Sequence, residues 1–95
     1  MREWIGTTEK ELFYTISLLH DAKEVQEFLN DLFTPEEIQI AARRWHAARL
    51  LYDGLPQIEV RVKCGASKNM VTRANRAFVK LGSETSLKLY NLLQG

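Results

Sequence analysis

The chain has 95 residues, 45% of them hydrophobic and 26% charged, and a net charge of +1. That is the balance of a single soluble globular domain, too short for a second core. No apolar run approaches the roughly 20 residues of a membrane span. The opening Met1-Arg2-Glu3-Trp4-Ile5-Gly6 lacks the continuous apolar stretch of an export signal, so the cytoplasm is the expected location. Cys64 is the only cysteine, which excludes an internal disulfide. With only His20 and His46 beside it, no metal or other cofactor is expected.

Taken in chain order, the punctuation predicts helices. Thr8-Glu9-Lys10-Glu11 has capping-box form, a hydroxyl for an orphan amide and a glutamate three residues on that can reach back. Leu12, Phe13, Ile16 and Leu19 follow at helical spacing. Asp21 can cap a second helix with Glu24 as its partner, and Val25, Phe28, Leu29 and Leu32 form its apolar stripe. Thr34-Pro35-Glu36-Glu37 is the strongest start signal: an N-cap threonine, a proline at the first helical position, and acids that complement the helix dipole. This third helix is predicted to run to about Asp53, where Gly54 stops it. Ile38, Ala41, Ala42, Trp45, Ala48 and Tyr52 make one apolar face, and Ile40, Ala47, Leu50 and Leu51 another. A helix apolar on more than one side is central, and in so small a domain the surplus points to a partner subunit.

Residues 58–64 alternate apolar and polar, the period of a strand. No other segment could pair with such a strand, whose amides would stay unsatisfied. A helix of about eight residues after Pro56 is therefore predicted, weakly held because its apolar residues fall on two faces. Ser67 caps the next helix, with Met70, Val71, Ala74, Phe78 and Leu81 at core spacing and Gly82 as its end. Ser83 caps a last helix carrying Leu87, Tyr90 and Leu93. The fold class is all-α, with six helices and short connections.

Charge is segregated along the chain. Residues 1–42 hold three basic and nine acidic side chains, whereas residues 43–80 hold nine basic against Asp53 and Glu59. An acidic scaffold with a basic working surface is the reading. Within the basic segment, Gln57 to Arg76 has the layout of a helix-turn-helix. Val60 and Cys64 are apolar four apart, Gly65 supplies the turn, Ala66 is small at the contact, and Val71 and Ala74 bury the second helix. Lys68, Asn69, Thr72, Arg73 and Arg76 stand on its outer face, with side chains suited to base edges and phosphates in a major groove. Arg61 departs from the pattern, which wants a small residue mid-helix, so either it turns outward or the two helices pack unusually.

Blander readings account for the other conspicuous residues. Cys64 stands where an apolar core residue belongs, His46 on a half-exposed helix position, and Trp45 among core or dimer-interface positions. Glu36 and Glu37 are cap members, and no nucleophile–base array appears, so an enzyme is not expected. The alternative to DNA binding is a helical protein–protein interaction or dimerisation module. Three cations among residues 67–76, with Asn69 and Thr72, argue against it, because protein interfaces tend to exclude lysine.

From Leu32-Phe33-Thr34-Pro35-Glu36-Glu37 through Arg43-Arg44, Gly54 and Gly65-Ala66-Ser67 to Val71-Thr72-Arg73-Ala74-Asn75-Arg76, the chain resembles the Trp repressor superfamily, and within it the Trp-repressor-like YerC/YecD group. The resemblance covers roughly residues 8–93. It implies a six-helix intertwined homodimer and a sequence-specific DNA-binding transcriptional regulator, a repressor, acting on double-stranded DNA at a palindromic operator. Carried over by position, DNA contact falls to Ser67, Lys68, Asn69, Thr72 and Arg73, with Arg76 and Lys63 nearby. The expected organisation is one helical domain over 1–95: dimerisation helices at 7–33, the long helix at 34–54, the helix-turn-helix at 55–81 and the C-terminal helix at 82–95. The tryptophan-binding branch is expected to hold the amino acid's carboxylate with a cation where Asp53 stands, and to have a small hydroxyl residue where Arg43 stands. Arg73 matches that branch's other arginine. The effector is thus unknown, with tryptophan disfavoured.

Overall fold

The computed structural model describes residues 7–95, so the Met1–Gly6 stretch read for an export signal lies outside the described residues. Among the described residues there are six α-helices, one π-helical segment and no strand: α1 (Thr8–Ser17), α2 (Ala22–Leu32), α3 (Pro35–Tyr52), α4 (Gln57–Cys64), α5 (Lys68–Ala74), the π-helix Asn75–Lys80, and α6 (Glu84–Leu93). The chain divides into two compact units, Met1–Ile38 and Gln39–Gly95.

The first unit is organised by its caps. The first helix starts one residue earlier than its capping-box pattern suggests, with Thr7 at the cap and Thr8 already helical. Asp21 accepts the Glu24 amide at 2.9 Å. Glu24 reaches back to the His20 amide at 2.8 Å, one residue before the cap. Thr34 and Glu37 complete a reciprocal capping box, the Glu37 amide to Thr34 Oγ1 at 3.1 Å and the Thr34 amide to Glu37 Oε1 at 2.8 Å. Each such cap stabilises its helix by about 1 kcal/mol. Neither α1 nor α2 buries a single residue, and Phe13 stays 65% exposed.

The core lies in the second unit. The third helix buries Ala47, Ala48 and Leu51, while Ala41 and Ala42 of the predicted apolar face are exposed. Small alanines let other backbone approach closely, and the cluster of Ala47, Leu51, Val60, Val71 and Ala74 joins α3 to α4 and α5, flanked by Leu50, Leu55, Cys64, Ala66 and Phe78. Complete burial of Val60 and Val71 contributes about 1.5–3 kcal/mol each.

Residues 57–64 are helical, which explains their alternation. Val60 is fully buried, whereas Ile58 and Val62 are 68% and 79% exposed, so the strand-like pattern is a short helix with apolar side chains off its packed face. After Ala74 the predicted single helix continues but changes hydrogen-bond register. The Leu81 amide donates to the Arg76 carbonyl at 2.9 Å, five residues back. At this turn Phe78 meets α3 twice: its ring tilts against Trp45 with centroids 5.8 Å apart, and its carbonyl accepts the Tyr52 hydroxyl at 3.0 Å. Ser83 caps the last helix through the Ser86 amide at 3.3 Å. The Tyr90 ring of that helix lies 5.1 Å from Tyr52, and its phenol donates to the Asp53 carboxylate.

Candidate functional site

The segment from Gln57 to Arg76 forms a helix-turn-helix whose turn is closed by backbone chemistry. Gly65 ends α4 in the left-handed conformation, φ 61° and ψ 36°. The Ala66 amide donates to the Arg61 carbonyl at 3.0 Å and the Gly65 amide to Val62 at 3.4 Å. This pair of bonds is a Schellman closure, which satisfies carbonyls that the helix end would otherwise leave bare. Ser67 then caps α5, its Oγ accepting the Met70 amide at 3.1 Å. The hydroxyl proton remains available to donate outward. Arg61 is exposed, so the inter-helix packing does not have to accommodate its bulk.

Val71 and Ala74 bury the inner face of α5, and that burial holds Lys68, Asn69, Thr72, Arg73 and Arg76 outward, all exposed. Four of these residues divide between two grooves. Ser67, Asn69 and Arg73 line one of about 270 Å³ together with Ile40, Arg44 and Met70. Thr72 and Arg76 line another of about 410 Å³ with Gln57, Asn75, Lys80 and Leu81. Lys68 opens α5 and Lys63 lies on α4; both are exposed and neither lines these two grooves. Arg44, Gln57, Asn75 and Lys80 are the residues that sequence reasoning did not assign. Their polarity was visible, but which side of a helix meets the reading face depends on packing.

Among the described residues the single ion pair is His20 with Glu24, so the chain's own carboxylates neutralise none of the cations around the turn. Donors without acceptors on an exposed helix are suited to the oxygens of an anionic polymer and to acceptor atoms at base edges. Cys64 packs against the core, and burial pushes its thiol pKa up against the opposing pull of Arg43, so the thiolate is disfavoured.

A family model described as Trp repressor protein matches residues 8–92. The chain belongs to the Trp repressor family. This Trp-repressor-family chain is 36% identical over 71 residues to the uncharacterized protein YerC of Bacillus subtilis (strain 168), a match spanning 75% of this chain and 68% of YerC. It is similar in structure to a TrpR-like protein from Eubacterium eligens ATCC 27750, with a TM-score of 0.80, 25% identity, and coverage of 96% of this chain and 94% of that one. The all-α Trp-repressor fold expected from the sequence is therefore the fold observed. No helix among the described residues is long and apolar enough to cross a membrane.

Asp53 does not line the groove between Arg44 and Arg73; its carboxylate takes the Tyr90 phenol. Arg43 is not among the lining residues either. That groove sets the Arg44 and Arg73 side chains beside Ile40 and Met70, two cations against an apolar wall.

Proposed function

We propose that this protein is a sequence-specific DNA-binding transcriptional regulator, a repressor, that works in the cytoplasm as a homodimer on a palindromic operator. The observation that carries the reading is the exposed outer face of α5. Lys68, Asn69, Thr72 and Arg73 project from a helix whose other side is locked into the core, next to cations with no internal partner. Asparagine and arginine pair in bidentate fashion with adenine and guanine edges. Lysine and serine add phosphate contacts. Protein-docking surfaces are depleted in lysine, and Lys68 stands at the start of this face.

The dimer is supported by how little the chain buries alone. Among the described residues, sixteen large apolar side chains are exposed, far more than scattered surface residues require. Two reading helices in a symmetric dimer would address half-sites about one helical turn apart. Selection of bound duplexes from a random pool, read by sequencing, tests the reading. A palindromic motif is the expected result, and enrichment of no motif together with retention of a protein partner alone would replace this reading by the interaction module.

A further inference from the structure

We propose that Tyr52 is a positioning residue for the reading helix: its hydroxyl, by holding the Phe78 carbonyl, keeps residues 75–80 in the π register and so fixes where Arg76 and Lys80 project. The inference rests on the DNA-binding reading above and adds to it a residue that acts on the reading helix from behind.

A π segment does not sustain itself. Hydrogen bonds five residues apart are rare in helices and occur mostly as single turns, so the six residues Asn75–Lys80 need support from outside. Helix α3 supplies it at two points. Trp45 and Tyr52 stand seven residues apart, two turns along one side of that helix. The Trp45 ring lies against the Phe78 ring, with 5.8 Å between centroids, and the Tyr52 hydroxyl donates to the Phe78 carbonyl at 3.0 Å. Phe78 is held by ring and backbone at once. The hold on the carbonyl is the one that decides register. Carbonyls in the last turn of a helix lack an amide ahead of them, and an α register would satisfy this one with the Gly82 amide, four residues on. With Tyr52 as donor that bond is not required, and the Leu81 amide reaches the Arg76 carbonyl at 2.9 Å, five residues back.

Ring and hydroxyl of Tyr52 act separately. The ring lies 5.1 Å from that of Tyr90, whose own phenol is taken by Asp53. A phenylalanine at 52 would keep this packing; only the bond to Phe78 needs the oxygen. The register has its consequence on the outside of the helix. On a continuous α-helix Arg76 and Lys80 would lie about 40° and 80° around the axis from Thr72. With the wider turn all three line one groove, beside Gln57 and Asn75. Ahead of the π turn, Lys68–Ala74 is capped by Ser67 and buried at Val71 and Ala74, so its outward residues do not depend on Tyr52.

Tyr52→Phe in the full chain tests the proposal. Scalar coupling across hydrogen bonds, measured by NMR, identifies the carbonyl to which each amide is bonded. The Leu81 amide should couple to the Arg76 carbonyl in the wild type and to that of Ala77 in Tyr52→Phe. Binding of the selected duplex should weaken about three- to tenfold in Tyr52→Phe. Base preference at the positions read from Lys68 and Arg73 should stay. Arg76→Ala should weaken binding as well, and the double variant should lose much less than the product of the two single losses, because each removes the same projection of Arg76. A tyrosine that only fills space would lower the urea midpoint, keep the bond from Leu81 to Arg76 and leave the two substitutions additive; that result overturns the proposal. A wild-type Leu81 amide coupled to Ala77 overturns it without any variant. Wild-type affinity in a Tyr52→Phe chain whose register has changed overturns it too, since the π turn then has no bearing on DNA. In each of these cases duplex binding by the wild type keeps the DNA-binding reading, whereas a wild-type chain that binds no duplex removes both.

Discussion

A β-carbon on Gly82 would collide with the carbonyl oxygen of Phe78 and stand 2.8 Å from its Cα. The chain folds back so tightly over the last π turn that only glycine fits. The reason is close approach and not a left-handed backbone, since the positive-φ glycines are Gly54, Gly65 and Gly95. Gly82→Ala must push aside backbone, which cannot rotate away like a side chain, so the expected destabilisation is at the upper end of about 1–3 kcal/mol. The same Phe78 carbonyl accepts the Tyr52 hydroxyl, so the substitution should also disturb the Lys80 end of the reading helix. A lowered urea midpoint together with weaker DNA binding is the expected pair of results.

Gly65 presents the opposite case. Nothing lies within 4 Å of its would-be β-carbon, but its φ is +61°. Gly65→Ala should cost about 1–2 kcal/mol from backbone conformation alone, and Gly65→Asn less, because asparagine tolerates the left-handed region. Denaturant melts of the two variants measure the order; an alanine variant as stable as wild type would mean that the turn can relax.

Alkaline pH should loosen the C-terminal helix. The Tyr90 phenol is held above its ordinary pKa, first by its hydrogen bond to Asp53, then by burial and the carboxylate's charge, with Arg49 opposing. Burial raises Tyr52 in the same direction. A group whose folded pKa is raised contributes stability that is complete below its unfolded value and is lost as pH climbs through the folded one. The unfolding midpoint should therefore fall above about pH 10, and less steeply in Tyr90→Phe. Cys64, also raised, titrates in the same sense in both proteins, so their difference isolates the phenol.

Stability should depend on protein concentration. Helices α1 and α2 bury nothing in the chain alone, and a homodimer that covers their apolar residues links folding to association. Denaturation midpoints over a hundredfold concentration range should rise with concentration. A constant midpoint with a monomer mass by light scattering would remove the dimer from the proposed function.

Base reading and backbone anchoring should separate by mutation. Arg73→Ala or Lys68→Ala should each cost about 1–3 kcal/mol on the selected duplex and relax preference at one position if that side chain reads a base. Lys63→Ala, on α4 and outside both grooves as Lys68 is, should weaken binding without relaxing base preference. Competition assays with single-base operator variants resolve the two behaviours, and unchanged binding in both the Arg73 and Lys68 variants would put a different helix in the groove.

Local signals carried much of this protein. The caps at Asp21, Thr34, Ser67 and Ser83, the stop at Gly65 and the apolar spacing of Val60, Val71 and Ala74 act within one or two helical turns, so their chemistry is legible in a few consecutive residues. They determine six helices and the helix-turn-helix layout, and with it which residues of α5 face outward. Residues 58–64 show the limit of periodicity: alternation suits a strand or a short helix with two apolar faces, and only the absence of a pairing partner favoured the helix. What the tertiary structure decided depends on groups distant in sequence. The π turn meets Trp45 and Tyr52 at Phe78, and Asp53 is engaged by Tyr90 from the last helix. The division of the outer face into two grooves, with Arg44 joining Arg73 and Lys80 joining Arg76, likewise follows from how helices pack. Helix propensity acts along the chain, but contact between helices is set by packing, and no local pattern encodes it.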